Sequence, residues 1–148
     1  MEIELLGGTV AGLVAGIVMS VWKMGQTAVQ GKGLWRPPNL IATIMLGKDA
    51  DQTDFAPVPF LAGMALHVAT SAGMGWIYAA LVHPVLGRPG GWGLILAAVG
   101  YTLLSWVIYQ YLVMPWLAPI MDRNTSPFWL AIAHAVYGLA FAGWILMV

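Results

Sequence analysis

The sequence predicts an all-α, polytopic membrane protein, with four membrane-crossing helices and one short interfacial or re-entrant helix in the first loop. Four stretches of the 148 residues carry no formal charge: 5–22, 56–82, 91–115 and 128–148. Each approaches or exceeds the ~20 apolar residues that cross a hydrocarbon core as helix. Only 8% of residues are charged and 60% are hydrophobic, against about 25% charged in soluble domains. Inside a bilayer nothing but the chain itself can satisfy backbone amides and carbonyls, so each run must be helical.

The elements follow in order as a single domain covering 1–148. The first crossing helix is expected over about 5–28. The acidic start, Met1-Glu2-Ile3-Glu4, is unlike a basic secretory leader, so this helix is expected to be retained. The first loop carries a Gly31-Lys32-Gly33 turn signal and Pro37-Pro38, which should interrupt any helix. Behind them Asn39 is suited to cap a helix and Gly47 to end it, predicting a short helix over about 39–47 with Leu40–Leu46 as a cover for the bundle. At ~12 Å it is too short to cross a bilayer. The second crossing helix is expected over about 57–82. A tight loop should follow over 83–90, with Pro84 and Pro89, and His83 facing water or headgroups. The third helix is expected over about 91–114, ending at Met114-Pro115. Ser126 then caps the fourth, over about 127–147, with Pro127 in its first turn. Trp22, Trp92, Trp116, Trp129 and Trp144 fall near the helix limits, where indole rings favour the headgroup layer.

Lys23, Lys32, Arg36 and Lys48 lie in or beside the first loop and Arg123 in the third, against Arg88 alone on the other side. The positive-inside rule then places the first and third loops in the cytoplasm and both termini outside. Zero net charge argues against a nucleic-acid partner. The absence of cysteine excludes disulfides, thiolate metal sites and thiol catalysis.

Small residues recur every fourth position on the first helix, at Gly8, Gly12, Gly16 and Ser20, a pattern that lets a neighbouring backbone approach closely. The second helix repeats the spacing with Gly63, His67, Ser71 and Gly75, and the fourth with His134, Gly138 and Ala142. Gly7, Ala11 and Ala15 add a second small row to the first helix, which points to a homo-oligomer or a larger membrane complex. His67 with Gly75-Trp76 and His134 with Gly143-Trp144 also suggest a loose internal duplication.

Both histidines therefore sit on inward faces, ~15 and ~10 Å from the same membrane surface. With Ser71, Tyr137, Gln110 and Lys23 they form the candidate ligand site, in a polar layer on the first-loop side. The plainest expectation is that each imidazole makes an interhelical hydrogen bond, to Ser71, Tyr137 or a tryptophan, within a structural or accessory subunit or a small binding module. A second is a bis-histidine b-type haem in an electron-transfer subunit. A third is a small transporter or binder of a lipid-like ligand. No carboxylate lies within any span, so a zinc or di-iron site and a serine triad lack the acids they need. No metal, no resident cofactor beyond that haem and no enzymatic activity are expected.

Four short motifs add a resemblance: Gly12-x-x-Ala15-Gly16 with Met19-Ser20, and Pro38-x-x-Ile41-Ala42-x-x-x-Leu46-Gly47, then Met114-Pro115, and His134-x-x-Tyr137-Gly138-x-x-x-Ala142-Gly143. Together they resemble the small bacterial inner-membrane proteins of unknown function related to the YagU-like group. The resemblance implies a four-helix architecture in a bacterial inner membrane and no particular reaction.

Overall fold

A computed structural model describes residues 4–86 and 90–148. The acidic Glu2 and the second-loop residues Arg88 and Pro89 lie outside the described residues. Those described form helices and connecting segments, with no strand among them. Four helices are long and apolar enough to cross a membrane: α1 (Leu5–Val29), α3 (Pro57–Leu86), α4 (Trp92–Leu117) and α6 (Pro127–Met147). Among the described residues there are also two shorter α-helices, α2 (Arg36–Leu46) and α5 (Pro119–Asn124), and a 3-10 turn at Lys48–Ala50.

The packing order differs from the chain order. α1 is wedged between α3 and α6, α4 packs on α6, and α2 lies along α3. The small-residue stripes are the contact surfaces. A Cβ placed on Gly8 would meet Ala79 Cβ at 2.6 Å and Gly75 O at 2.7 Å; one on Gly12 would meet the Ser71 carbonyl, with Gly75 Cα and Tyr137 Oη each at 3.0 Å. Gly75 in turn faces Gly8 O and Gly12 Cα. Gly138 serves the other seam, where an added Cβ would lie 2.7 Å from Thr102 Oγ1 and 2.8 Å from Val99 Cα. Gly63 faces Pro38 O and Ala42 N, so it seats the short α2 and not another long helix. Ala11 and Ala15 are fully buried within the single chain. The second small row on α1 is thus used inside the bundle, because α1 has two neighbours. Gly7 alone of that row stays exposed with open space around it.

Several local expectations are corrected. α2 begins at Arg36, three residues earlier than expected, with Pro37 and Pro38 inside its first turn, where a missing N–H costs nothing. Asn39 is therefore not a cap. It is fully buried, and its Nδ2 donates to Gln52 O (2.9 Å) and Asp54 O (3.0 Å), tying the return segment to α2. Gly47 does end the helix, at φ 75°, its amide donating to Thr43 O at 3.0 Å.

The helix of the second span runs past Pro84 to Leu86, and that of the third past Pro115 to Leu117. A proline ring excludes the hydrogen bond to the carbonyl four residues back and clashes with it. Here a π turn absorbs the fault in both places: Tyr78–Val82 before Pro84 and Tyr109–Val113 before Pro115. In each, the residue just before the proline donates its amide five residues back, His83 to Tyr78 O and Met114 to Tyr109 O. The two segments share one pattern, Tyr-x-x-Leu-Val-x-Pro. Because the helix continues, His83 is buried and does not face water. The expected His-to-Gly-Trp duplication is not mirrored in packing: Gly75 is at van der Waals limits against α1, whereas Gly143 has nothing within 4 Å.

Candidate ligand cavity

The half of the bundle nearest the first and third loops is hollow. A cavity of about 400 Å³ lies there, lined by α1, α2, α3, α4, α5 and α6. Its origin is the packing order. α1 and α6 hold the centre, whereas α3 and α4 meet closely only toward the opposite end. There Tyr101 Oη donates to Met74 O at 3.0 Å and the Tyr78 and Tyr101 rings pack edge to face, centroids 5.4 Å apart. Below that closure the two helices part. His67, Thr70 and Ser71 line one side and Ser105, Ile108 and Tyr109 the other. Thr70 on α3 and Ile108 on α4, which line the cavity on either side of this seam, are also exposed.

The apolar wall is rich in methionine: Met19, Met24, Met64, Met74 and Met121. Such unbranched, polarizable side chains adapt to ligand shape better than branched ones. Leu40, Ile41 and Ile44 of α2 close one side, as expected of a cover. Over the mouth, Arg36 Nη2 donates to Asn124 Oδ1 (2.9 Å) and reaches Asp51 Oδ1 (3.4 Å), linking the first loop to α5. Arg36 Nε is buried without an acceptor. On α1, Lys23 Nζ donates to Gln26 Oε1 at 3.0 Å. Trp22 and Trp129, also at this end, pack on one another with centroids 6.2 Å apart.

Of the residues singled out from sequence, Lys23, His67, Ser71, His134 and Tyr137 do converge on this cavity. Gln110 does not. The π turn carries it away from the cavity into a buried position, where Nε2 donates to Asp122 Oδ1 at 2.9 Å and Oε1 has no partner. The same turn presents the adjacent Tyr109 to the cavity, its hydroxyl 3.7 Å from Met121 Sδ.

The imidazoles are held by backbone carbonyls and not by the side chains expected. His67 Nε2 lies 3.1 Å from Gly16 O on α1, and His134 Nδ1 lies 2.9 Å from Leu130 O one turn back on its own helix. A carbonyl only accepts, so each of these nitrogens carries the hydrogen. Tyr137 Oη donates to Ser71 O (2.7 Å), and Thr102 Oγ1 to His134 O (2.9 Å). This arrangement does not fit a haem clamped between two imidazoles. Nε2 of His67 is already engaged as a donor, leaving only Nδ1, beside its own Cβ, for an iron. Among the described residues no group of three or more His, Cys, Asp or Glu is placed to hold a metal ion.

Sequence gives Asn39 only as a helix cap and Arg36 only as a loop charge, and it does not single out Thr102, Asn124 or the methionine-rich wall. A composition signal existed for the last, with nine methionines in 148 residues. Comparison of the chain with family models, with characterised proteins and with solved structures finds no match.

Proposed function

We propose that this chain is a multi-pass membrane protein that binds a lipid-like ligand in the cavity between its helices, as a small binding or transport module without catalytic machinery. The observation that carries this reading is the cavity itself: apolar, methionine-rich, of a size typical for small-molecule sites and bordered at the α3–α4 seam by the exposed Thr70 and Ile108. In a bilayer that seam faces acyl chains, so the natural route of entry is from the membrane and not from water. The histidines and Tyr137 then act as structural groups that fix the deep wall. The loop charges favour the cavity half on the cytoplasmic side and both termini outside. A bacterial inner membrane, following the resemblance to the YagU-like group, completes the reading. Ala11 and Ala15 are used within the single chain, so the exposed Gly7 is what remains of the sequence pattern for an oligomer.

The test is thermal unfolding in nanodiscs with a panel of single-chain amphiphiles of differing head charge. At least one should raise the midpoint, since a ligand that binds only the folded state stabilises it. Met74→Trp, which fills the deep wall, should abolish the rise. If no amphiphile shifts the midpoint, or Met74→Trp leaves the shift intact, the cavity is not a ligand site.

A further inference from the structure

The charged groups of the cavity are all of one sign. Among the described residues, Lys23, Lys32 and Arg36 line it, and no aspartate or glutamate does. Arg36 is partly compensated, since it forms the one ion pair found among the described residues, to Asp51 at 3.4 Å. Lys23 is not compensated. Its ammonium donates to Gln26 Oε1, a neutral group one turn along the same helix. Six residues separate Lys23 from the end of α1 at Val29, so its Cα lies ~9 Å inside the helix terminus. Trp22 beside it suits the headgroup layer, so the half-buried ammonium stands at the interface end of the cavity, where an anionic head or water can meet it.

We propose, building on the ligand reading above, that the ligand is a single-chain anionic amphiphile whose carboxylate or phosphate head pairs with Lys23. Its tail lies upward along Met19, Met64, Met74 and Ile108. Both chemical halves of the ligand are specified by position along the helices. On α1 the lining runs from Met19 and Ser20 to Lys23 and Thr27 toward the loop end, and on α6 from Tyr137 and His134 to Trp129 and Ser126. Apolar and weakly polar groups therefore occupy the deep end and cations the mouth. From Ser126 to Tyr137 the lined length is ~16 Å along the helix, enough for much of one extended chain. At about 400 Å³ the volume sits near the lower end of small-molecule sites, ~300–1,000 Å³, which favours one chain over two. Arg36 and Lys32 add positive potential at the entrance, and the α3–α4 seam lets the tail slide in from the bilayer while the head stays at the interface.

The experiment is equilibrium binding of radiolabelled oleate to the full chain in nanodiscs of neutral lipid, with competition by oleyl alcohol, lysophosphatidate and inorganic phosphate. Oleate should bind, and Lys23→Gln should weaken it about tenfold, the scale of one lost charge-assisted hydrogen bond. Lys23→Arg should restore most of the affinity, which separates charge from folding. Oleyl alcohol should compete poorly and indifferently to residue 23. Stronger competition by lysophosphatidate assigns a phosphate head, and weaker competition a carboxylate; both agree with the proposal. Displacement by inorganic phosphate alone would overturn it, making the cations a free-anion site. Equal binding of oleate and oleyl alcohol, unchanged in Lys23→Gln, would overturn the anionic head while leaving the lipid-like reading intact. Binding of neither would sink both, and Lys23 would then be a lysine that only extends to the headgroup layer.

Discussion

Gly12 stands where three helices meet, and replacing it tests the bundle at its tightest point. A methyl group there would be driven into the Ser71 carbonyl, with Gly75 Cα and Tyr137 Oη each at 3.0 Å. Two of these are backbone atoms of α3, which move only if the helix moves. The third is a hydroxyl bonded to that same Ser71 carbonyl at 2.7 Å. Overpacking of this kind costs about 1–3 kcal/mol. Loss of the Tyr137 bond adds about 0.6 kcal/mol, the mean for hydrogen bonds between membrane helices. Against this, alanine gains up to about 1 kcal/mol over glycine in a helix interior. Gly12→Ala should therefore be destabilised by about 1–3 kcal/mol, and Gly12→Leu should yield no monodisperse folded species. The internal control is Gly143→Ala on α6, where nothing lies within 4 Å of the new Cβ and only the helix preference acts. That variant should be unchanged or stabilised by up to about 1 kcal/mol. Reversible unfolding by dodecyl sulfate in mixed micelles reads both. Shifts of the same sign at Gly12 and Gly143 would refute the placement of the α1 stripe against α3.

Three further outcomes follow from individual contacts. Asn39→Ala removes two hydrogen bonds to the segment that returns to α3 and leaves the Gln52 and Asp54 carbonyls without that donor; a loss of about 1–3 kcal/mol is expected, with faster amide exchange at Asp51–Phe55, and unchanged exchange would count against the tie. Thr102→Val keeps shape but removes the donor to His134 O, so α4 should loosen from α6 by about 0.6 kcal/mol, whereas Thr9→Val, whose hydroxyl bonds only to Leu5 O on its own helix, should show no such loss. Pro115→Ala restores the missing amide, so the π turn Tyr109–Val113 should relax to α-helix and rotate the preceding face by ~100°. With no native cysteine in the chain, single thiols at Gln110 and Tyr111 can report this: residue 110 is buried and 111 exposed, and their labelling rates should converge or exchange in the variant, an unaltered ratio arguing that the proline does not hold the turn.

The long helices were legible because a run of uncharged residues has few alternatives once its length nears a bilayer thickness, and the stripe at Gly8, Gly12 and Gly16 was legible because small residues at fourth positions put Cα against Cα. The limits at Pro84 and Pro115 were not. Proline stops an α-helix, but a wider turn upstream satisfies the same steric demand and lets the helix run on. The repeated Tyr-x-x-Leu-Val-x-Pro held that information, and its second copy explains why Gln110, chosen on grounds of polarity, turns away while Tyr109 faces the cavity. Gly63 shows a different limit: its spacing marked it as a contact, but spacing does not say whether the partner is a long helix or, as here, the short α2. The cavity was still less visible, since it arises from helices separated in sequence and from the gap between α3 and α4. What sequence carries of it is the similar depth and inward face of His67 and His134, a polar layer in the same half that includes Lys23 but also Gln110, and Leu40–Leu46 as a cover.

The histidines illustrate how packing and polar satisfaction come from one feature. In an ordinary helix a backbone carbonyl is shielded by side chains from a neighbour's imidazole. Gly16 has no side chain, and a Cβ there would press on the Ser71 side chain and lie 3.9 Å from His67 Nε2. The close approach that glycine permits is what brings His67 to the Gly16 carbonyl at 3.1 Å. The residue that lets the two backbones approach thereby also supplies the acceptor that makes a half-buried imidazole tolerable. Gly16→Ala should consequently cost more than a packing defect alone, because it displaces the imidazole as well as the helix, whereas His67→Leu should remove the need for the acceptor and recover part of the loss. A double-mutant cycle between positions 16 and 67 measures that coupling directly, and strict additivity would show that the carbonyl does nothing for the histidine.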